Sequence, residues 1–270
     1  MKRIFAIIMT ICLLASTLCI PAFAADDAPA AGTVLRVSAL KKDGTTIVVI
    51  KDYDNFEDGW NAAMELAGDS KTMKENTYDR VVVDIYTDWN AVDSEFTDDW
   101  INGDGFKNDT IYIPDGTKVT LNLQGHTINR GLKYMTSNGE VMYIEDNADV
   151  IINNGTVTGG FGDAGDAGAI DIQDDARVTL NNVHVVGNNS GWDGGGIFVG
   201  SGSILTVNGG SFINNGATGD AFAYSSYGGA VHVEGTAIFD NVEFKGNIAP
   251  YGAAISAKNG NVVIKKALKT

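Results

Sequence analysis

The chain has 270 residues, of which 19 are basic and 34 acidic, for a formal net charge of −15. So acidic a surface repels nucleic-acid phosphates and anionic lipid, which argues against both as partners, and it suits a soluble, exported protein. Two cysteines, Cys12 and Cys19, both fall within the first 24 residues, so the remaining chain offers no disulfide, no thiol nucleophile and no thiolate metal site.

Those first residues read as a secretory signal peptide. Lys2 and Arg3 form the basic start, Ile4 to Ile20 is apolar apart from Thr and Ser, and Ala22-Phe23-Ala24 supplies the small-x-small cleavage pattern. Removal of residues 1–24 takes Lys2 and Arg3 with it and leaves 17 basic against 34 acidic residues, a net charge of −17. A secreted or cell-surface location is expected, with no membrane span in the mature chain, because no second apolar run is long enough to cross a bilayer.

Residues 25–32 are small, Ala-rich and polar, and are expected to be a flexible leader. Residues 33–109 are expected to form an N-terminal α/β cap. Val34–Val37 and Ile47–Ile50 read as strands about a turn at Asp43-Gly44. Asn55 then caps one helix running to about Ala67, with Glu57 and Asp58 in its first turn complementing the helix dipole. Phe56, Trp60, Ala63, Met64 and Ala67 fall on one apolar face at helical spacing. Val81–Tyr86 is a third strand, and an acidic, Trp-bearing loop follows to Asp109. A helix laid over the open end of a stacked β-structure hides an edge that would otherwise pair or aggregate.

From Thr110 helical periodicity ends and short alternating strands recur. Ile111-Tyr112-Ile113, Met142-Tyr143-Ile144, Ile170-Asp171-Ile172, Ile197-Phe198-Val199, Val231-His232-Val233 and Ile255-Ser256-Ala257 form one series. A second series contains Thr120-Leu121, Ile151-Ile152, Thr179-Leu180, Thr206-Val207, Ile238-Phe239 and Val263-Ile264. A third is anchored by Val157, Val185, Phe212 and Phe244. A shift of 27 residues carries Ile170 to Ile197, Leu180 to Val207, Val185 to Phe212 and Asn188 to Asn215. Units of this length cannot bury their apolar side alone and must stack. The fold expected is all-β, a right-handed parallel β-helix of about six rungs over residues 110–270. Its corners carry Asn153-Asn154, Asn181-Asn182, Asn208-Gly209 and Asp240-Asn241, and then Asn188, Asn215 and Asn247, which predict two asparagine ladders.

The segments Phe212-Ile-Asn-Asn215, Gly228-Gly-Ala-Val231, Phe244-Lys-Gly-Asn247 and Gly252-Ala-Ala-Ile255 resemble the Phe-x-x-Asn and Gly-Gly-Ala-Ile repeats of polymorphic outer-membrane proteins, whose β-helical passengers are adhesins. More broadly, residues 110–270 are similar to the pectin-lyase-like β-helix superfamily. The resemblance implies the fold and an adhesive or glycan-binding role toward a polysaccharide or a host or cell-surface glycoprotein. It also opens an alternative, a calcium-dependent polysaccharide lyase. The residues up to Thr270 include no β-barrel translocator such as those family members carry, so that export route is not expected. The sequence stops at Lys265-Lys266-Ala267-Leu268-Lys269-Thr270 without an obvious cap, so the last rung is expected to be closed by a partner or continued in a longer product.

The middle residues of the first series are expected to face outward in one row. Tyr112, Tyr143, Asp171, Phe198 and His232 are the candidate ligand-binding residues, the rings as sugar-stacking platforms and Asp171 and His232 as hydrogen-bonding groups. Aromatic enrichment of strands is the competing explanation. Asp163, Asp166, Asp174 and Asp175, beside Asp171 and Arg177, are the weak candidates for calcium, a hard cation that takes oxygen ligands. A lyase needs carboxylates on successive rungs and a basic group opposite, yet these fall mostly within one rung, so no catalytic acid or base is assigned. His126, His184 and His232 lie on different strands without metal-ligand spacing.

Overall fold

The structure is a computed structural model, and it describes residues 28–91, 110–163, 167–218 and 226–267. The signal peptide, most of the acidic Trp-bearing loop and Asp166 lie outside the described residues.

The chain opens with an antiparallel pair, β1 (Leu35–Lys41) and β2 (Ile47–Tyr53). At their turn the Asp43 carboxylate accepts from the backbone N–H of Thr45 and of Thr46 and from the Thr46 hydroxyl, which holds its pKa down at about 2. Helix α1 (Phe56–Gly68) follows, and the Asn55 side chain accepts from the Asp58 N–H as its N-cap. A second helix, α2 (Ser70–Glu75), was not expected, because it buries no residue and so leaves no apolar period to read. Asp69 creates it by accepting from the N–H groups of Lys71 and Thr72. Strand β3 (Tyr78–Ile85) then pairs antiparallel with β1 on one edge and parallel with the first rung of the solenoid on the other, Val83 beside Leu121. The cap is therefore continuous with the β-helix. Strand β4 (Trp89–Asn90) joins it in the same way, with Trp89 beside Ile128.

The remainder is a parallel β-solenoid of about five turns, in keeping with about six rungs of which the last is incomplete. All six strands of the first series form one parallel sheet. Tyr112, Tyr143, Asp171, Phe198, His232 and Ser256 stand side by side in unbroken register. The second series is equally regular, from Thr120 through Ile151, Thr179, Thr206 and Ile238 to Val263. The second and third series were expected as separate strands, but in three turns they run together as ten-residue strands, Asp149–Thr158, Arg177–Val186 and Thr236–Lys245. Each bends at one residue of positive φ, namely Asn154, Asn182 or Asn241, and a single left-handed residue suffices to turn the chain. A short three-stranded sheet, Phe161–Gly162, Asn189–Ser190 and Gly216–Ala217, closes the remaining corner.

Inside, alternation delivers one apolar column per sheet face. Leu121, Ile152, Leu180, Val207 and Phe239 form one such column, and Ile113, Ile144, Ile172, Val199 and Val233 another, all fully buried. Each such side chain contributes about 1.5–3 kcal/mol relative to exposure. Over the N-terminal opening Phe56 stacks on Trp60 and on Trp89, and the Trp60 indole donates to the carbonyl of Tyr112, on the edge strand of the first sheet. At the other end Ile264, which continues the Phe239 column, is 56% exposed.

Candidate functional site

Two asparagine columns fix the faces of the solenoid. Asn208 donates to Asn181, Asn181 to Asn153, Asn153 to Asn122 and Asn122 to Asp84, all at 2.8–2.9 Å. The second column runs the other way, with Asn188 donating to Asn215 at 3.0 Å and Asn215 to Asn247 at 3.1 Å. Rungs so tied hold their outward side chains in strict columns, so a repeated sequence position becomes a line on the surface.

The row of candidate residues on the first sheet does form such a line, but two of its five members are closed to solvent. Tyr112, Tyr143 and Phe198 are partly exposed, whereas Asp171 is 1% and His232 0% exposed. The expectation that Asp171 and His232 present hydrogen-bonding groups to solvent is corrected: both are buried, His232 against Phe198 and Tyr227. Asp171 accepts from the Gln173 amide at 2.8 Å. Tyr112 and Tyr143 stack with centroids 6.0 Å apart. Burial and then Glu145 push the Tyr112 phenol up, and burial and then Asp171 push the Tyr143 phenol up to about 12, so both stay protonated donors.

Two more exposed rings come from the loop just before the first strand. Trp192 is 54% and Tyr251 53% exposed, and Tyr251 stacks on Tyr227 with centroids 5.1 Å apart. Asp193, Tyr227 and Tyr251 bridge consecutively along the axis, each four residues before its strand at Ile197, Val231 and Ile255. The next residue is Gly194, Gly228 or Gly252, with φ of +65°, +69° and +66°, a left-handed turn that aims the preceding side chain outward. The following Gly195 and Gly229 face carbonyls of the next rung so closely that no Cβ fits. The Gly-Gly signature is thus a backbone requirement; of the residues in front of these turns Asp193 and Tyr227 are half-buried and Tyr251 is exposed, while Trp192 stands one position earlier than Asp193. The position keeps phase in the sequence but lies in a turn outside the alternating strand pattern, so periodicity alone does not single it out. Tyr134, 72% exposed, lies near Thr136 in the same corner column, which continues through Gly162, Ser190 and Ala217.

Behind the ledge sits His232. Its ring stacks on Phe198 at 5.7 Å and meets Tyr227 at 5.7 Å and a 52° tilt. Neither ring nitrogen has a hydrogen-bond partner, and Nε2 is 3.9 Å from a Glu234 carboxylate oxygen. Asp193 accepts from the Tyr227 N–H at 2.8 Å. Lys258, in the next rung, places its ammonium 5.4 Å from the centre of the Tyr227 ring. Burial lowers the His232 pKa, opposed by the charges of Asp193 and Glu234, and burial raises that of Asp193.

The calcium candidates are dispersed. Asp174 and Asp175 occupy an exposed turn after the first strand, Asp175 at φ +59°, while Asp163 follows the corner strand Phe161–Gly162 and accepts from Ser137 at 3.4 Å. Among the described residues no group of three or more His, Cys, Asp or Glu converges as a metal-ligand set. His126 contacts Asp88 at 3.1 Å and His184 contacts Ser211 at 2.8 Å, both away from the ledge. No helix of the described residues is long and apolar enough to cross a membrane. Comparison with protein-family models, with curated proteins and with solved structures finds no match to this chain.

Proposed function

We propose that the protein is a secreted or cell-surface β-helix module that binds glycans, in the manner of an adhesin, along the ledge of Trp192, Tyr227 and Tyr251. The observation that carries the reading is the pair of half-exposed rings two rungs apart on a rigid backbone. The rungs that carry the two rings lie about 10 Å apart, a separation that one extended ligand can span. Rings that stack on sugars also need polar neighbours to orient hydroxyl groups, and Asp193 lies next to Trp192 in the chain and holds the Tyr227 N–H. The Gly-Gly-Ala-Val and Phe-x-x-Asn repeats favour a polymorphic outer-membrane-like, pectin-lyase-like scaffold, and the signal-like N-terminus favours export.

The test is binding of the mature chain, residues 25–270, to an array of microbial, plant and mucin-type glycans. The reading expects retention on a subset. It also expects Trp192→Ala and Tyr251→Ala each to weaken that retention by about tenfold or more, since exposed aromatic anchors carry most of such an interface. Binding indifferent to both substitutions, or none on any glycan, contradicts it. A calcium-dependent rise in ultraviolet absorbance with polygalacturonate would replace it with the lyase.

A further inference from the structure

A histidine that is fully buried and makes no hydrogen bond is an unfavourable arrangement that nothing in the stacking of the solenoid requires. The equivalent position carries Phe198 one rung before and Ser256 one rung after, and both fit the same column. A phenylalanine at 232 would extend the Phe198 stack without leaving polar atoms unmet. What the imidazole adds is the capacity to take up a proton in the range below neutrality.

The groups facing it are set for that event. Glu234, on the same strand end, is 3.9 Å from Nε2, too far for a hydrogen bond to the neutral ring. Asp193, from the preceding rung, is partly buried and holds the Tyr227 N–H. Tyr227 packs on the ring, and Lys258, from the following rung, is the cation in reach among the described residues. A protonated ring carries two donors and a positive charge, so it draws carboxylates to charge-assisted hydrogen-bond distance, which for Glu234 is a movement of about 1 Å.

We propose that His232, Asp193 and Glu234 form an acid-responsive latch beneath the ledge. On protonation the imidazolium closes on the two carboxylates, Asp193 slackens its hold on the Tyr227 backbone, and the Tyr227–Tyr251 stack is reset. The latch converts a drop in external pH into a change in the shape of the exposed aromatic surface. It stands whatever that surface binds, because the geometry involves only residues of the chain.

The test needs no ligand. Nuclear magnetic resonance of the mature chain, titrated from neutral to acid pH, follows the imidazole of His232 and the rings of Tyr227 and Tyr251. The His232 midpoint is expected below the ordinary histidine value of 6.5, and the two tyrosine rings are expected to shift with that same midpoint. Glu234→Gln, at an exposed side chain that folding does not need, is expected to lower the midpoint by about half a unit or more, because it removes an anion that favours the charged ring. His232→Phe, which keeps the stack on Phe198, is expected to abolish the coupled tyrosine shifts. Tyrosine signals that stay flat while His232 titrates, a midpoint unmoved in Glu234→Gln, or no titration before the fold is lost would each overturn the latch. Should His232→Phe fail to fold, the Glu234→Gln arm decides alone.

Discussion

At two corners of the solenoid an asparagine amide spans the gap between rungs, and the two columns donate in opposite directions. Asn215 is the most committed of these residues. It is fully buried, it donates to Asn247 and to the Val185 carbonyl, and it accepts from both the backbone and the side chain of Asn188. Asn215→Ala leaves several of those groups unpaired in the interior, and each costs about 1–3 kcal/mol. A loss of about 3 kcal/mol is expected, measured by urea unfolding. The other column ends on Asp84, a carboxylate 1% exposed whose Oδ2 atom has no partner. Burial raises its pKa above 3.8. A carboxyl raised on folding binds its proton more tightly when folded, so its contribution is favourable in acid and is lost as pH rises from 3.8 through the raised value. Asp84→Asn is therefore expected to stabilise the protein at neutral pH by about 1 kcal/mol, with the gain vanishing in acid. Melting temperatures measured at both pH values check the sign. An equal gain in acid and at neutrality would show that charge burial is not the cause.

At the scale of elements, the strands were legible because solenoid packing obeys a simple rule. One face of each strand is inside, the period is two, and the copies must keep phase, so Ile170 to Val207 could be placed from spacing alone. Helix α1 was legible for the same reason, through Phe56, Trp60, Ala63 and Met64. Helix α2 was not, because a short helix held by the Asp69 side chain leaves no apolar stripe. The direct pairing of β3 with the first rung also escaped, since a parallel partner 38 residues away leaves no local sign in the sequence. The candidate row was half legible. Its register was right at every strand, but outward direction is not exposure: Tyr227, from the turn before the strand, packs on His232, and Asp171 is held by Gln173 in its own rung. The role of α1 is testable by Trp60→Ala. That change removes the indole donor to Tyr112 and opens the aromatic lid, and about 3–5 kcal/mol of destabilisation is expected. Concentration-dependent aggregation should accompany it, as an uncovered sheet edge invites pairing. A variant as stable and monomeric as the parent would show that the lid is dispensable.

Across the whole molecule stability is graded along the axis. Each rung touches only its neighbours, so the ends depend on what covers them. The N-terminal end lies under α1. The C-terminal rung exposes Ile264 and Val263, where the same columns four rungs earlier bury Ile152 and half-bury Ile151. Hydrogen exchange should therefore be fastest in Asn261–Ala267 and slowest in Arg177–Val186. Uniform protection would mean that the final rung is held by something outside the chain. The same rigidity gives the ledge its meaning, because rings fixed by a ladder of rungs need little ordering on binding.

The most direct test of that ledge is to map a bound oligosaccharide by chemical-shift perturbation on the mature chain. The shifts should concentrate on Trp192, Asp193, Tyr227, Glu234 and Tyr251 and fade toward Tyr112. Perturbations centred instead on the Thr179, Thr206 and Ile238 face of the second sheet, with the ledge unmoved, would contradict it.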